Sequence, residues 1–207
     1  MRTLVIDSAT EACSVALVEN GVVLAGDNQL LGRGHAERLV PMIAALPDKG
    51  RAERILVDVG PGSFTGIRVG LATARALALA WGARVSGFES LSLVAAMALA
   101  ETPAERVDVC MTGGHGEWFL RSFAGDGTPI SPLSSLAPDA AIAASNAPLV
   151  VGSQAAALRA GRGSHGVTAR DLWPDARCAM LLDAACFIAE PRPIYGRAPD
   201  ARLPSTK

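Results

Sequence analysis

The sequence is poor in the features that mark a protein able to hold a nucleic acid by itself. Lys49 and Lys207 are its only lysines, and the net charge of the 207 residues is −1. Proteins that hold phosphates on their own usually carry a surplus of basic residues or a clustered basic face. Composition therefore gives no support to direct nucleic-acid binding, and we attribute the preference for arginine to genome composition.

The sequence also lacks a recognisable metal-binding or disulfide pattern. Its four cysteines, at positions 13, 110, 178 and 186, include no pair with C-x-x-C spacing, and its three histidines are widely separated. A zinc site needs four clustered ligands, so we predict no metal site. Free thiols fit a reducing compartment. A chain of this length buries enough surface to fold without a disulfide or a metal.

Hydrophobic segments long enough for a membrane are missing as well. The most apolar helical segment, Ile67–Trp81, contains Arg68 and Arg75 and falls short of the ~20 residues of a membrane span. The chain begins with a strand-like segment rather than a charged region followed by an apolar stretch, so we expect no secretory leader. These patterns predict a soluble, cytoplasmic protein.

The first hundred residues alternate between strand and helix patterns in the order β-β-β-α-β-α-β-α. Asn20-Gly21 predicts a tight hairpin turn, because both central positions of a type I′ turn need positive φ. Pro41 lies inside the first helix pattern, where we expect a kink or an N-terminal turn, and Ser90 is expected to cap the third helix. The predicted strands are Leu4–Asp7, Cys13–Glu19, Val22–Ala25, Ile55–Val59 and Arg84–Gly87, and the predicted helices are Ala36–Leu46, Phe64–Trp81 and Ser90–Ala100.

The pattern that opens the chain recurs in its second half. Gly125-Asp126-Gly127 marks the turn of the repeated hairpin, and prolines interrupt the sequence after residue 130. We therefore predict an internal duplication with a smaller, less regular second lobe, and a division into residues 1–103 and 104–207. The predicted strands of the second lobe are Val107–Met111, Glu117–Phe123 and Leu149–Val151, and its predicted helices are Ser153–Ala160 and Asp175–Ala189.

The most informative motif follows the fourth predicted strand and opens the second predicted helix. Its glycines allow a close backbone approach, and a helix N-terminus presents free N–H groups that suit an anion. The motif loosely resembles a dinucleotide fingerprint, with Glu89 where a ribose-binding acid would lie, but Pro61 stiffens the loop and no P-loop lysine follows. We favour a tight turn with a closely packed helix and keep the dinucleotide site as the alternative. We call this motif the signature loop: Gly60, Pro61, Gly62, Ser63, Phe64, Thr65 and Gly66.

The helix after the signature loop points to a partner. It is apolar on nearly every side, and Arg68 and Arg75 share its one polar stripe. A helix that is apolar all round is buried all round, whereas a sheet covers only one side, so we predict that another chain covers the rest. A neighbouring helix of the same lobe, the Ala36–Leu46 helix above all, is the alternative. A ridge of small residues would let another element approach closely: Gly66, Gly70, Ala74 and Ala78.

The end of the first strand resembles a phosphate loop that has lost a key residue. Sugar kinases, actin and chaperone ATPases carry an Asp-x-Gly-Thr-like loop at this place, whose glycine lets backbone amides touch phosphate. Ala9 stands where those proteins have the glycine. We therefore interpret the loop as vestigial, with the candidate residues Asp7, Ser8 and Thr10.

Two histidines are weak candidates for a site. His35 precedes a helix and has no second ligand four residues later, so we predict a packing or capping role instead of metal binding. His115 lies among glycines, in a loop that a ligand could face, although a plain turn is the simpler interpretation.

Four segments of the chain resemble the TsaB (YeaZ) family of tRNA threonylcarbamoyladenosine biosynthesis proteins. The resemblance is close over residues 1–100 and thin from there to about residue 190. The chain departs from the family at Thr112-Gly113-Gly114, where the family usually has Asp-Ala-Arg, so no ligand role is carried over to that loop. The matching segments are Ile6–Ala16, His35 with Leu39 and Pro41, Gly60–Gly70 and Pro193–Ala201.

The resemblance implies an α/β, actin/Hsp70-like (ASKHA) fold of two lobes with a reduced second lobe. It implies a non-catalytic scaffold that binds and activates TsaD, the catalytic paralogue, together with the ATPase TsaE, in the synthesis of threonylcarbamoyladenosine in tRNA. It further implies a homodimer, no catalytic residue, no cofactor bound by the chain alone, and tRNA contact only through the complex. A nucleotide at the complex interface is left open.

We expect the partner to bind the outer sides of the first two long helices. Two helices from each molecule would form a four-helix contact, and TsaD, which resembles this lobe, would use the same surface, so that homodimer and heterodimer exclude each other. The expected interface residues are Ala36, Leu39, Val40, Ile43, Arg68, Leu71, Ala72, Arg75 and Leu79.

Three alternatives remain from the sequence: a small kinase of the same fold, a peptidase, and a purely structural homodimer. A kinase needs a glycine-bearing phosphate loop and a base, and a peptidase needs a metal or a nucleophile with an oriented base. Neither set is legible in the sequence.

Overall fold

The computed structural model describes residues 1–163 and 166–196, so that His165 and the tail positions 197–207 lie outside the described residues. In these described ranges, ten strands form two five-stranded sheets. The strands are β1 Arg2–Asp7, β2 Ala12–Glu19, β3 Val22–Leu30, β4 Arg54–Asp58, β5 Arg84–Phe88, β6 Arg106–Thr112, β7 Trp118–Ala124, β8 Ser134–Leu136, β9 Leu149–Val151 and β10 Thr168–Arg170. The helices are α1 His35–Ala45, α2 Phe64–Trp81, α3 Ser90–Glu101, α4 Pro138–Ala144 and α5 Ala155–Gly161.

The first sheet has the mixed topology that the sequence predicts. Its order is β3-β2-β1-β4-β5; β1, β2 and β3 pair antiparallel, and β1, β4 and β5 pair parallel. Asn20 and Gly21 both have positive φ in the hairpin turn, as predicted. Pro41 lies mid-helix in α1, not in an N-terminal turn. Successive side chains of a strand point to opposite faces of the sheet. In β1, Leu4 and Ile6 point toward α1 and α2, whereas Val5 points to the opposite face.

The second sheet repeats the topology of the first. Its order is β8-β7-β6-β9-β10, with β6, β7 and β8 antiparallel and β6, β9 and β10 parallel. The predicted internal duplication is therefore confirmed. Three of these strands have only three residues, and α4 and α5 have seven each. The fold is thus α/β and actin/Hsp70-like, with a reduced second lobe.

Helix α3 packs against both sheets, and its side with Ser92, Ala96 and Leu99 is only partly exposed. Leu91 and Val94 pack into the core of the second sheet, whereas Leu93 and Met97 pack into the other core cluster, on the first sheet. Helix α2, for which we expected burial on all sides, has a distinct exposed side instead. An apolar helix of this kind joins the two sheets because both of its sides have a sheet to cover.

The chain after β10 returns to the first sheet. The predicted helix Asp175–Ala189 is wrong, because the segment forms two short 3₁₀ helices, Ala176–Leu181 and Ala184–Cys186. Its polar groups are bound by tertiary contacts: Ser14 Oγ accepts from Ala176 N at 2.9 Å, and Asn28 Nδ2 donates to Asp175 at 2.9 Å. The division at residue 103 stays a prediction, but residues 175–196 do not pack with the second sheet alone.

Within the described ranges, no helix combines the length and hydrophobicity needed to cross a lipid bilayer.

Candidate functional site around the signature loop

The signature loop connects β4 to α2 and is fixed by its own chain on two sides. Ser63 is the N-cap of α2, and its hydroxyl accepts from the Gly66 N–H at 3.2 Å. Ser63 N donates to the carbonyl of Ala9 at 2.6 Å, and Ser90 N donates to the carbonyl of Gly60 at 3.0 Å. The Gly60–Pro61 peptide bond is cis. The loop therefore bridges the loop after β1 and the start of α3.

Two glycines of the signature loop are required by close packing against the loop after β1. A Cβ at Gly62 would overlap the carbonyl of Ala9, and a Cβ at Gly66 would overlap the carbonyl of Ser8. Ser8 Oγ donates to the Gly66 carbonyl at 2.9 Å. The favoured interpretation, a tight turn with a closely packed helix, is therefore the observed one.

The dinucleotide alternative loses its ribose-binding acid. Glu89 forms an ion pair with Arg121 of β7, with Oε2 2.6 Å from Nη1. The small-residue ridge of α2 also faces inward, since Gly70 approaches Ser8 Oγ and Val57 of the sheet. The element that this ridge lets approach is thus the first sheet and its loop, not a second chain.

The candidate residues of the vestigial phosphate loop are all buried and engaged within the chain. Asp7 is 0% exposed, and its Oδ1 accepts from Ala9 N at 3.0 Å. Thr10 Oγ1 accepts from Ala12 N at 3.2 Å. The backbone amide that a phosphate loop would present is therefore already bound by the side chain of Asp7.

Asp58 is the residue of this site that sequence reasoning missed. It ends β4 beside Asp7, and its Oδ1 accepts from Gly60 N at 2.7 Å and from Ser90 Oγ at 2.8 Å. Ser90 is thus not the cap of α3, which is Glu89. The available signal was an aspartate at the end of each of two strands that lie side by side and parallel, because such strand ends meet at one edge of a sheet.

Asp7 and Asp58 form an acid pair, and burial is the main influence on the pKa of both. Desolvation raises the pKa of Asp7 to about 7, against the opposing effect of the hydrogen bond from Ala9. Desolvation, followed by the charge of Asp7, raises the pKa of Asp58 well above its usual range. The charge of Asp7 thus favours protonation of Asp58, whereas the hydrogen bond with Asp58 lowers the pKa of Asp7 against the larger effect of burial.

The structure divides the expected interface residues into two sets. Leu39, Ile43 and Leu71 belong to the core between the first sheet and its helices, and Leu71 is only 3% exposed. Their expected outward orientation is wrong, because α1 and α2 both lie on the sheet and these side chains point into it. The set that is exposed consists of Ala36, Val40, Arg68, Ala72, Arg75 and Leu79.

The polar stripe of α2 is used by the tail of the same chain. Arg68 Nε donates to Tyr195 Oη at 2.9 Å, and the guanidinium lies 3.6 Å from the ring centroid of Phe64. Arg75 Nη2 donates to the carbonyl of Pro191 at 3.0 Å. Ile194 N donates to the carbonyl of Val59 at 2.7 Å. The tail thus borders the signature loop, a contact that the sequence did not reveal.

The remaining candidates do not assemble a metal site. His35 is buried, with Nε2 3.2 Å from the carbonyl oxygen of Ala12, which fits the packing role. His115 lies in the exposed 3₁₀ turn Gly114–Gly116. Among the residues that the structure describes, no three acidic, histidine or cysteine side chains are grouped so that they could hold a metal ion.

Comparisons with known proteins show which family and which relatives the chain resembles. A family model described as "TsaD: tRNA N6-adenosine threonylcarbamoyltransferase" matches residues 29–145, more than half of the chain. The "tRNA threonylcarbamoyladenosine biosynthesis protein TsaB" of Escherichia coli (strain K12) is 37% identical over 134 residues, which cover 61% of this chain and 56% of that protein. The protein of the same name from Bacillus subtilis (strain 168) is 33% identical over 101 residues, 46% of this chain and 44% of that protein.

A solved structure extends the likeness over nearly the whole chain. "YeaZ from Pseudomonas aeruginosa" superposes with a TM-score of 0.77 at 27% identity, covering 94% of this chain and 99% of that one. The chain spans about half the length of the curated relatives it matches. It belongs to the protein family described as TsaD: tRNA N6-adenosine threonylcarbamoyltransferase and, within it, to the TsaB (YeaZ) proteins.

Proposed function

We propose that the chain is a non-catalytic scaffold subunit in the synthesis of threonylcarbamoyladenosine in tRNA. In this proposal it binds and activates a TsaD-type threonylcarbamoyltransferase together with a TsaE-type ATPase, and it contacts tRNA only through that complex. In this proposal the chain holds no cofactor by itself, and the interface of the complex has room in the scheme for a bound nucleotide.

The observation that carries the non-catalytic role is the closure of the phosphate loop by the chain itself. The Ala9 amide is donated to Asp7, the Ala9 carbonyl accepts from Ser63, and Gly62 leaves no space above it. Phosphoryl transfer depends on backbone amides and metal-binding acids that face the nucleotide. A site filled in this way supports a structural use of the fold and counts against the kinase alternative.

The exposed apolar side chains of α1 and α2 support the scaffold role. Leu79 is 88% exposed and Val40 is 56% exposed. Exposed apolar patches of this kind commonly mark interaction sites. In the proposal, this surface packs against the same helices of a second copy or against the corresponding helices of the TsaD partner, so the two complexes exclude each other.

Reconstitution tests the proposal directly. TsaD and TsaE are incubated with tRNA, ATP and threonylcarbamoyl-adenylate, with and without this chain. We expect modified adenosine only when the chain is present, and no ATP hydrolysis above background by the chain alone. Steady turnover by the isolated chain that Asp7→Ala abolishes would contradict the non-catalytic role.

The interface is tested by Leu79→Arg. A charge buried without a partner costs several kcal/mol, enough to dissolve a moderate interface, whereas an exposed substitution leaves the monomer folded. Leu181→Arg is the matched control, because Leu181 is also exposed but belongs to the segment on the opposite face of the first sheet. Light scattering and a pull-down with TsaD measure the result. A folded Leu79→Arg chain that still dimerises and still captures TsaD would place the interface elsewhere.

A further inference from the structure

Asp7 and Asp58 occupy neighbouring positions at one edge of the first sheet. They end β1 and β4, whose parallel register pairs Ile6 with Val57 directly before them. Both side chains therefore lie on the same face, opposite to Ile6 and Val57. They are 0% and 1% exposed. Two acids are thus held side by side, out of contact with water.

The hydrogen bonds available to the pair leave one oxygen unsatisfied. Asp7 accepts from Ala9 N and, at 3.4 Å, from Ser14 Oγ. Asp58 Oδ1 accepts from Gly60 N and Ser90 Oγ. Asp58 Oδ2 is buried and has no partner in the part of the chain that the structure describes. A buried polar atom without a partner is rare in proteins and calls for an explanation.

Within residues 1–163 and 166–196, the charged groups packed around the pair supply no compensating cation. From the 3₁₀ segment, Asp175 faces Asp7 and raises its pKa, and Arg177 is bound to Asp175 with Nη2 2.6 Å from Oδ2. On β2, the Cys13 thiol has a raised pKa because of burial and the charge of Asp7. At the start of α3, Glu89 is paired with Arg121.

We propose that Asp7 and Asp58 share one proton and act as a pH-sensitive clamp. The clamp joins the loop after β1, which contains Ala9, to the signature loop and to the start of α3. The acid O–H lies between the two carboxyl groups and satisfies the orphaned oxygen of Asp58. Their remaining oxygens hold Ala9 N, Gly60 N and the Ser90 hydroxyl. One proton therefore stabilises the contact among three separate segments of the chain.

The direction of the pH effect follows from the raised pKa values. In the unfolded chain both carboxyls ionise near pH ~4, whereas the folded pair keeps one proton up to a higher pH. The folded state then binds more protons, so its stability falls as pH rises. The unfolding equilibrium constant should increase about tenfold per pH unit in that interval, and the increase should stop once the pair has lost its proton.

Asp58→Asn tests the clamp, because the amide N–H₂ can replace the shared proton as a donor to Asp7 without changing the shape of the side chain. Denaturant unfolding between pH 5 and pH 9 measures how the free energy of unfolding changes with pH, which gives the number of protons released on unfolding. The parent protein should release one more proton than the variant in this range. Asp7→Asn should have the same effect on the slope. Parent-like pH slopes in both folded variants would overturn the proposal.

Infrared spectroscopy of the parent protein gives a readout that needs no variant to fold. The shared proton predicts a carboxylic-acid C=O band at neutral pH, which disappears as pH rises and returns when pH is lowered. A spectrum at neutral pH with only ionised carboxylate bands would overturn the proposal even if neither variant could be purified.

Discussion

The two sheets have the same strand order, yet their buried acids Asp58 and Asp108 differ in how many hydrogen bonds they accept. In the second lobe, Asp108 of β6 accepts from Ser122 Oγ at 2.6 Å, from Ser145 Oγ at 2.7 Å and from the backbone N–H groups of Asn146 and Ala147. In the first lobe, one oxygen of Asp58 has two donors and the other has none within the described residues.

This difference separates a carboxyl group whose two oxygens are both bound from one with an oxygen left without a donor in the described residues. Four donors satisfy the oxygens of Asp108, whereas burial and the charge of Asp7 raise the pKa of Asp58. Asp108 attaches residues 145–147 to β6, and Asp58 lies beside Asp7 beneath the signature loop. A repeated topology thus holds its buried acids with two different hydrogen-bond arrangements.

Aspartate to asparagine at both sites gives the strongest test of this comparison. Asp108→Asn should destabilise the protein by about 3 kcal/mol, because the amide nitrogen cannot accept the hydrogen bonds that a carboxyl oxygen of Asp108 accepts. Asp58→Asn should be neutral or stabilising near pH 8, because it removes a buried ionisable group but keeps a donor toward Asp7. Chemical denaturation at that pH measures both. Equal losses in the two variants would contradict the distinction.

Alanine substitution of one glycine in each lobe compares the closely packed signature loop with the exposed Gly114–Gly116 turn. Gly66→Ala should cost about 2 kcal/mol, because its Cβ would overlap the Ser8 carbonyl and force α2 away from the sheet. Gly114→Ala is the control, since nothing lies within 4 Å of its added Cβ, and it should change stability by less than about 0.5 kcal/mol. Thermal unfolding of both variants decides whether the signature loop is as closely packed as the structure indicates.

Two serines provide the smallest expected effect. Ser90→Ala removes a buried donor to Asp58 and should cost about 1 kcal/mol. Ser153→Ala removes the acceptor of the Thr112 N–H at the exposed end of β6. Water can replace that acceptor, so the free energy of unfolding should fall by less than in Ser90→Ala. A larger loss at Ser153, measured by urea unfolding, would indicate that this edge of the second lobe carries more of the stability than its exposure suggests.

The sequence by itself determined the local order of the first lobe. Alternating apolar residues, the Asn20-Gly21 turn and the glycines around Pro61 each act over a few residues, so the strands, the hairpin and the bounds of α2 could be predicted from them. The tight turn of the signature loop and the packing role of His35 were predicted on the same basis. The repeated hairpin also indicated the duplication, because a topology repeats when its local signals do.

Only the tertiary structure decided which groups meet. Leu71 follows the same helical pattern as Leu79, yet one lies in the core and the other in solvent, because the sheet contacts only one side of α2. Residues 175–189 have a helical composition, but hydrogen bonds to Ser14 and Asn28 hold them in 3₁₀ turns. The acid pair arises because parallel pairing places two strand ends, distant in sequence, at one edge of a sheet. Interactions between segments far apart along the chain set these outcomes, and no local pattern encodes them.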